Sequence, residues 1–200
     1  MNATTEPIKI AIVYHSGYGH TQRQAEAVLA GANATAGSRA RLLPIDADGN
    51  LNEADWETLQ AADAIVFGSP TYMGSVSWQF KKFADASSKI WFTQAWKDKL
   101  SAGFTNSASM NGDKSSTLQF LNTLAMQHGM LWIGTGLLPA NSKEAQRNDI
   151  NYLGASSGLM AQSPSGSGPD ESPLPGDLET AKLFGRRIAE AARRWHDGQR

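Results

Sequence analysis

The chain of 200 residues contains no cysteine. That absence excludes disulfides, thiol nucleophiles and thiolate metal centres. Charge of either sign is not in surplus: 18 Lys and Arg stand against 19 Asp and Glu, a formal net charge of −1. A nucleic-acid binder needs a basic field, and a small carrier that docks on basic partners needs an acidic one; the chain has neither. No apolar run approaches the ~20 residues of a membrane span. The opening segment MNATTEPIK lacks the basic-then-apolar layout of a signal peptide, so a cytoplasmic setting is expected. No lysine occurs between Lys9 and Lys81, which removes a P-loop from that stretch, because such a loop ends in Gly-Lys-Ser/Thr. His15 and His20 have no carboxylate close by in sequence to complete a metal site, and no metal is expected. Neither Ser16 nor Ser107 sits in a G-x-S-x-G elbow, so serine hydrolysis is not expected.

What is present begins with Ile8–Thr21, IKIAIVYHSGYGHT. The apolar, largely β-branched run from Ile8 to Val13 is too continuous for a half-exposed strand and suits a parallel sheet covered on both faces. It stops at Ser16, Gly17, Tyr18, Gly19, His20 and Thr21, and a helix opens at once with Ala25, Val28, Leu29 and Ala32 at helical spacing. Strand, hydroxyl- and glycine-rich loop and helix N-terminus together form an anion site, because free N–H groups and the positive dipole end point into it. A dinucleotide fingerprint is incomplete, with Gln22 where the third glycine belongs. What remains suits a monophosphate held by hydroxyls and backbone. The structural alternative is an ordinary solvated turn that uses Ser and Gly for geometry alone.

The same alternation continues. Strands are expected at Arg39–Ile45, Asp63–Ser69, Leu100–Thr105 and Met130–Ile133. Helices are expected at Glu53–Gln60 with Asn52 as cap, from Trp78 to about Trp91, over Ser115–His128 with Gly129 as terminator, and over Leu178–Trp195 with Asp177 as cap. Pro44 places the second strand at or near an edge. Such alternation means an α/β fold, a five-stranded parallel sheet with helices on both faces, in a single domain spanning 1–200. Residues 1–6 form a tail. Residues 162–176, rich in Ser, Gly and Pro, are expected to be a flexible loop.

In such a sheet ligands bind beyond the carboxyl ends of the strands, where strand order reverses. The loops after the first, third and fourth strands then share one edge. The second of them carries Pro70, Thr71, Tyr72, Met73 and Gly74, able to run along a flat ring. The third carries Asn106, Ser107, Ala108, Ser109, Met110 and Asn111, suited to the polar edge of a heterocycle. A planar heterocycle bearing one phosphate is implied, and flavin mononucleotide (FMN) fits.

The loop SGYGHT resembles the phosphate loop of the flavodoxin superfamily, and its Tyr-Gly-His form resembles the WrbA-type NAD(P)H:quinone oxidoreductases. GSPTYMGSVSWQFKKFAD, FTNSASMNG, MQHGML and NDINYLGASSGLM are similar to further segments of that family, so the likeness runs from about Ile8 to Trp195. The resemblance implies a flavodoxin-like fold. It assigns Ser16 to Thr21 to the FMN phosphate, Pro70 to Gly74 to the isoalloxazine with Thr71 on its edge, and Asn106 to Asn111 to the ring's other side and the ribityl chain. It places His128 beside the ring as the catalytic candidate, in its own or a neighbouring subunit's site, and Trp91 on the wall of the substrate pocket. Ala108 and Met110 depart from the family's glycines. The structural alternatives are a helix-end role for His128 and a core or interface role for Trp91 and Trp96. The implied activity passes a hydride from NAD(P)H through flavin N5 to a quinone in a two-electron ping-pong reaction, in a homodimer or homotetramer. The alternatives are a flavodoxin-type single-electron carrier and an FMN-dependent azo or nitro reductase. Arg147 is the one arginine near the long loop that is open to a 2′-phosphate of NADPH.

Overall fold

Strands apolar on both faces must be covered on both faces, and side-chain alternation decides which residue goes where. A computed structural model describes residues 6–198. Apart from Glu6, the tail expected at 1–6 lies outside the described residues. In β1 (Ile8–Tyr14), Ile8, Ile10, Ile12 and Tyr14 enter one core while Ala11 and Val13 enter the other. The first core is closed by α1 (His20–Asn33) and α6 (Pro175–Gly198), with Val28, Phe184 and Ile188 among its residues. The second is closed by α2 (Glu53–Ala61), α3 (Trp78–Ala86) and α5 (Lys114–Gln127), with Leu59, Phe80 and Leu121. At the crossing of α1 and α6 the backbones meet through Gly31 and Gly185. A Cβ on either would enter a carbonyl oxygen, of Lys182 or of Val28.

The sheet runs β2 (Ser38–Pro44), β1, β3 (Ala64–Tyr72), β5 (Leu100–Ser107), all parallel. β2 is the edge strand, as Pro44 requires. Four departures from expectation each have an identifiable cause. β3 runs on through Pro70, Thr71 and Tyr72, because Pro70 still pairs with Asn106. A hairpin then returns through Met73 and Gly74 to β4 (Ser75–Val76). Both turn residues have positive φ, 47° and 79°, the tight geometry whose twist matches that of the strands. The helix expected from Trp78 to about Trp91 breaks at Ser87, whose hydroxyl bonds back to the Ala84 carbonyl, and a short α4 (Ser88–Phe92) follows. The fifth sheet position is shared. β6 (Leu131–Trp132) pairs with Leu100 and Ser101, whereas β7 (Leu159–Gln162), from beyond a long excursion, pairs with Phe104 to Ser107. β5 is buried throughout, so both halves of its edge need a partner, and no single segment supplies it. Finally, α6 starts at Pro175, and Asp177 does not cap it. Its carboxylate instead holds Arg147 through two hydrogen bonds, 2.8 and 2.7 Å, and accepts the Gln162 amide.

Candidate functional site

Strand order reverses between β1 and β3, and a cavity of about 650 Å³ opens there beyond the strand ends. Four segments line it. From the first come Tyr18, His20 and Thr21. Gly19 precedes α1 with φ 86°, a left-handed conformation that a side chain would strain. Ser16 faces the helix, its hydroxyl accepting the Gln22 amide at 3.1 Å. The His20 and Thr21 amides have no acceptor among the described residues and stand at the positive end of α1. Gly17 lets Tyr72 approach, for a Cβ there would lie 2.5 Å from the Tyr72 hydroxyl.

The second segment supplies Pro70, Thr71 and Tyr72. The Tyr72 ring meets Tyr18 edge-on at 6.2 Å, and its hydroxyl is held protonated by burial and by Tyr18. Thr71 Oγ1 lies 2.8 Å from both Thr105 Oγ1 and Thr117 Oγ1, so its side chain is tied into the floor. Met73 is fully exposed at the hairpin tip, and neither it nor Gly74 lines the cavity.

Asn106, Ser107 and Ala108 form the third wall. Asn106 Oδ1 accepts the Ser163 hydroxyl at 3.1 Å, and the Ala108 carbonyl accepts Gln162 Nε2, also at 3.1 Å. Ser109, Met110 and Asn111 do not line the cavity: Met110 and Asn111 face a separate hollow with Ala140 and Tyr152, and the carbonyls of Ser109 and Met110 are held by Lys114. The fourth wall is Ser163–Pro169. It is joined to the first by His20 Nε2, which donates to the Ser167 carbonyl at 3.0 Å, and by Pro169 against Gly19. No Lys, Arg, Asp or Glu side chain is among the described residues lining the cavity. An anion there would be met by amides and hydroxyls, and a flat ring by the tyrosines.

Comparisons with known proteins accord with this geometry. The profile of the NADPH-dependent FMN reductase family matches residues 50–145. Flavodoxin FldP of Pseudomonas aeruginosa (strain UCBPP-PA14) is 52% identical over 188 residues, 94% of this chain and 98% of that protein. The crystal structure of the flavodoxin, WrbA-like protein from Agrobacterium tumefaciens superposes with a TM-score of 0.75 at 52% identity, covering 94% of this chain and 98% of that one. The chain belongs to the flavodoxin-like, WrbA-type family. Within that family, an NAD(P)H dehydrogenase (quinone) of Geotalea uraniireducens (strain Rf4) is 31% identical over 205 residues, 94% of this chain and 98% of the relative.

Beyond Met73, Gly74 and Ser109–Asn111, His128 and Trp91 are also not brought to this cavity. His128 ends α5 on the side of the sheet away from it, about 20 Å of helix from Lys114. It is only 2% exposed and tilts on the buried Trp96 ring at 4.5 Å. The Ser87 hydroxyl gives its single proton to the Ala84 carbonyl, so His128 Nε2–H donates to Ser87 Oγ at 2.9 Å and Nδ1 is left as a bare acceptor. Burial lowers its pKa to about 4 and keeps the ring neutral. Gly129 and Met130 close the helix by returning their amides to Met126 and Ala125. Trp91 lies on α4 against Phe92, at the surface and outside the cavity lining. Arg147, left open for a 2′-phosphate, is committed to Asp177. Among the described residues no cluster of metal-ligating side chains occurs.

Sequence reasoning missed the fourth wall and Lys114. SPSGSGP has the same hydroxyl and glycine character as the first loop, a signal legible in hindsight. Lys114 carried none, being one lysine at the start of an amphipathic helix.

Proposed function

We propose that the cavity holds FMN and that the protein passes two electrons as a hydride from NAD(P)H to quinones, each reactant using the same opening in turn. The observation that carries this reading is the unguarded mouth. Tyr18 is 75% exposed and Tyr72 partly so, and the hairpin tip at Met73 and Gly74 stands clear of the cavity. A flat reactant thus has room beside a bound ring. The names of relatives near 30% identity, NAD(P)H dehydrogenase (quinone), support it.

The donor set fits FMN. The free amides of His20 and Thr21 and the Thr21 hydroxyl would take the phosphate, and Tyr72 with Pro70 would lie along the ring. Asn106, Ser107 and the backbone to Ala108 would meet its polar edge. Bound FMN supplies the electron chemistry; the chain supplies orientation, shelter and electrostatics. Ser163–Pro169, tied to His20 and Asn106, would lie over the phosphate end. The reaction needs no charged side chain at the mouth, only an open face, so azo and nitro compounds are further candidate acceptors. Dimers or tetramers formed through exposed aromatics such as Trp78, Trp91 and Phe92 belong to the same proposal.

A second reading, a single-electron carrier, is favoured by one observation: the relative at 52% identity is named a flavodoxin. One anaerobic cuvette separates the two. The FMN-loaded protein is mixed with NADPH and then with benzoquinone. Bleaching by NADPH and full return with quinone, with parallel initial-rate lines in steady state, supports the oxidoreductase. No response to NADPH, but a persistent organic radical after dithionite, moves the protein to the carrier class.

A further inference from the structure

Lys114 is the first residue of α5 and 1% exposed. Its ammonium donates three hydrogen bonds of 2.8 Å, to Ser107 Oγ and to the carbonyls of Ser109 and Met110. Every proton it has is used, and no acceptor is a carboxylate. Three terms oppose a cation at this point. It is buried, it sits at the positive end of a helix dipole, and it lacks a contacting counter-ion. The charged groups whose fields reach it are Asp177 from α6 and Arg147 from the excursion after β6, and they are spent on each other. Asp113, its chain neighbour, faces solvent. No neutral side chain carries three donors at its tip, so bracing the loop uses the ammonium's protons and brings a full positive charge with them. It has an address: Ser107 lines the cavity, and the ammonium stands one hydrogen bond behind it.

We propose that Lys114 is the positioning residue of the third wall and the site's built-in cation, holding Ser107–Met110 in place and favouring a ligand that gains negative charge on reduction. This rests on the FMN reading above. Uptake of two electrons and one proton leaves the isoalloxazine with one negative charge. An ammonium fixed behind Ser107 therefore stabilises the reduced ligand more than the oxidised one, as preorganised charge does. The effect is a difference between two redox states, which a mere brace would not produce.

The test measures oxidised-FMN affinity by fluorescence titration and the midpoint potential of bound FMN by dye equilibration, for wild type, Lys114→Met and Lys114→Arg. Lys114→Met should weaken reduced FMN at least tenfold more than oxidised FMN, a fall of about 30 mV for a two-electron couple. Lys114→Arg should keep that ratio within threefold. Equal weakening of both states, or none, overturns the inference while FMN binding by the wild type stands. Failure of wild type to take FMN overturns the functional reading and this inference with it. A second measurement needs no variant. By reciprocity, the ammonium's pKa in wild type, followed through lysine Cε signals in NMR, should stand about one unit higher with reduced than with oxidised FMN. An unchanged value also overturns the proposal.

Discussion

At the two ends of α5 stand Lys114 and His128, both buried and both disfavoured as cations by that burial. Lys114 is lowered to about 8, chiefly by desolvation, and His128 to about 4. At neutral pH one end is therefore charged and the other neutral. The difference lies in what surrounds them. Lys114 meets three oxygens behind the cavity wall, enough to satisfy an ammonium. His128 meets one hydroxyl and the face of Trp96 in an apolar core, enough only for a neutral ring. Residue type is a poor guide to charge state at such positions. The histidine with the suggestive family context is a core residue of its own chain, while an unremarked lysine stands behind the cavity.

The sharpest way to break this contrast is at its apolar end. Trp96→Ala, which removes a fully buried ring from between Phe67 and His128, should cost about 3–5 kcal/mol in urea unfolding. The folded fraction should still bind FMN within twofold of wild type. A parallel loss of affinity would show that the two ends are not independent.

The next effect is pH dependence, and its sign is the same at both ends. Each group's folded pKa lies below its unfolded one, so the unfolded state binds more protons between the two values and stability rises with pH there. For His128 the window is about pH 4 to 6.5, and for Lys114 about pH 8 to 10.5. Each contributes a slope of up to about 1.4 kcal/mol per pH unit. Unfolding curves for His128→Gln should flatten in the acid window, and those for Lys114→Met in the alkaline one. Tyr14 and Tyr72, both raised by burial, act with opposite sign above pH ~10, so the comparison is made against wild type at each pH.

A smaller effect comes from Ser87→Ala. It leaves His128 Nε2–H buried without an acceptor, and about 1–2 kcal/mol should be lost. The smallest effect is that of His128→Gln on oxidised-FMN affinity, which should stay within twofold. A tenfold loss would bring His128 back to a cavity, its own or a neighbour's.

How far the sequence spoke depends on how local the physics was. β1, the first loop and the start of α1 were legible because one short stretch holds the whole strand–loop–helix signal. The parallel sheet was legible because unbroken apolar strands alternate with amphipathic helices. The end of β3 was not, because Pro70 to Tyr72 look like a loop until Asn106 is placed beside Pro70. Nor was the split fifth strand, since Leu159–Gln162 has no strong strand pattern and owes its conformation to the open edge of β5. The break at Ser87 depends on a back-bond to Ala84 that composition does not reveal.

The sequence by itself determined the fold class, the position of the hydroxyl- and glycine-rich turn before α1 and the absence of thiol chemistry, because these follow from periodicity, glycine and hydroxyl placement, and composition. Only the tertiary structure decided which groups share the cavity. Ser163–Pro169 is brought to His20 by chain distant in sequence, Arg147 is taken up by Asp177, Lys114 is set against Ser107, and His128 is packed on Trp96. Burial and partner geometry set the charge of those groups, and both are properties of the folded chain.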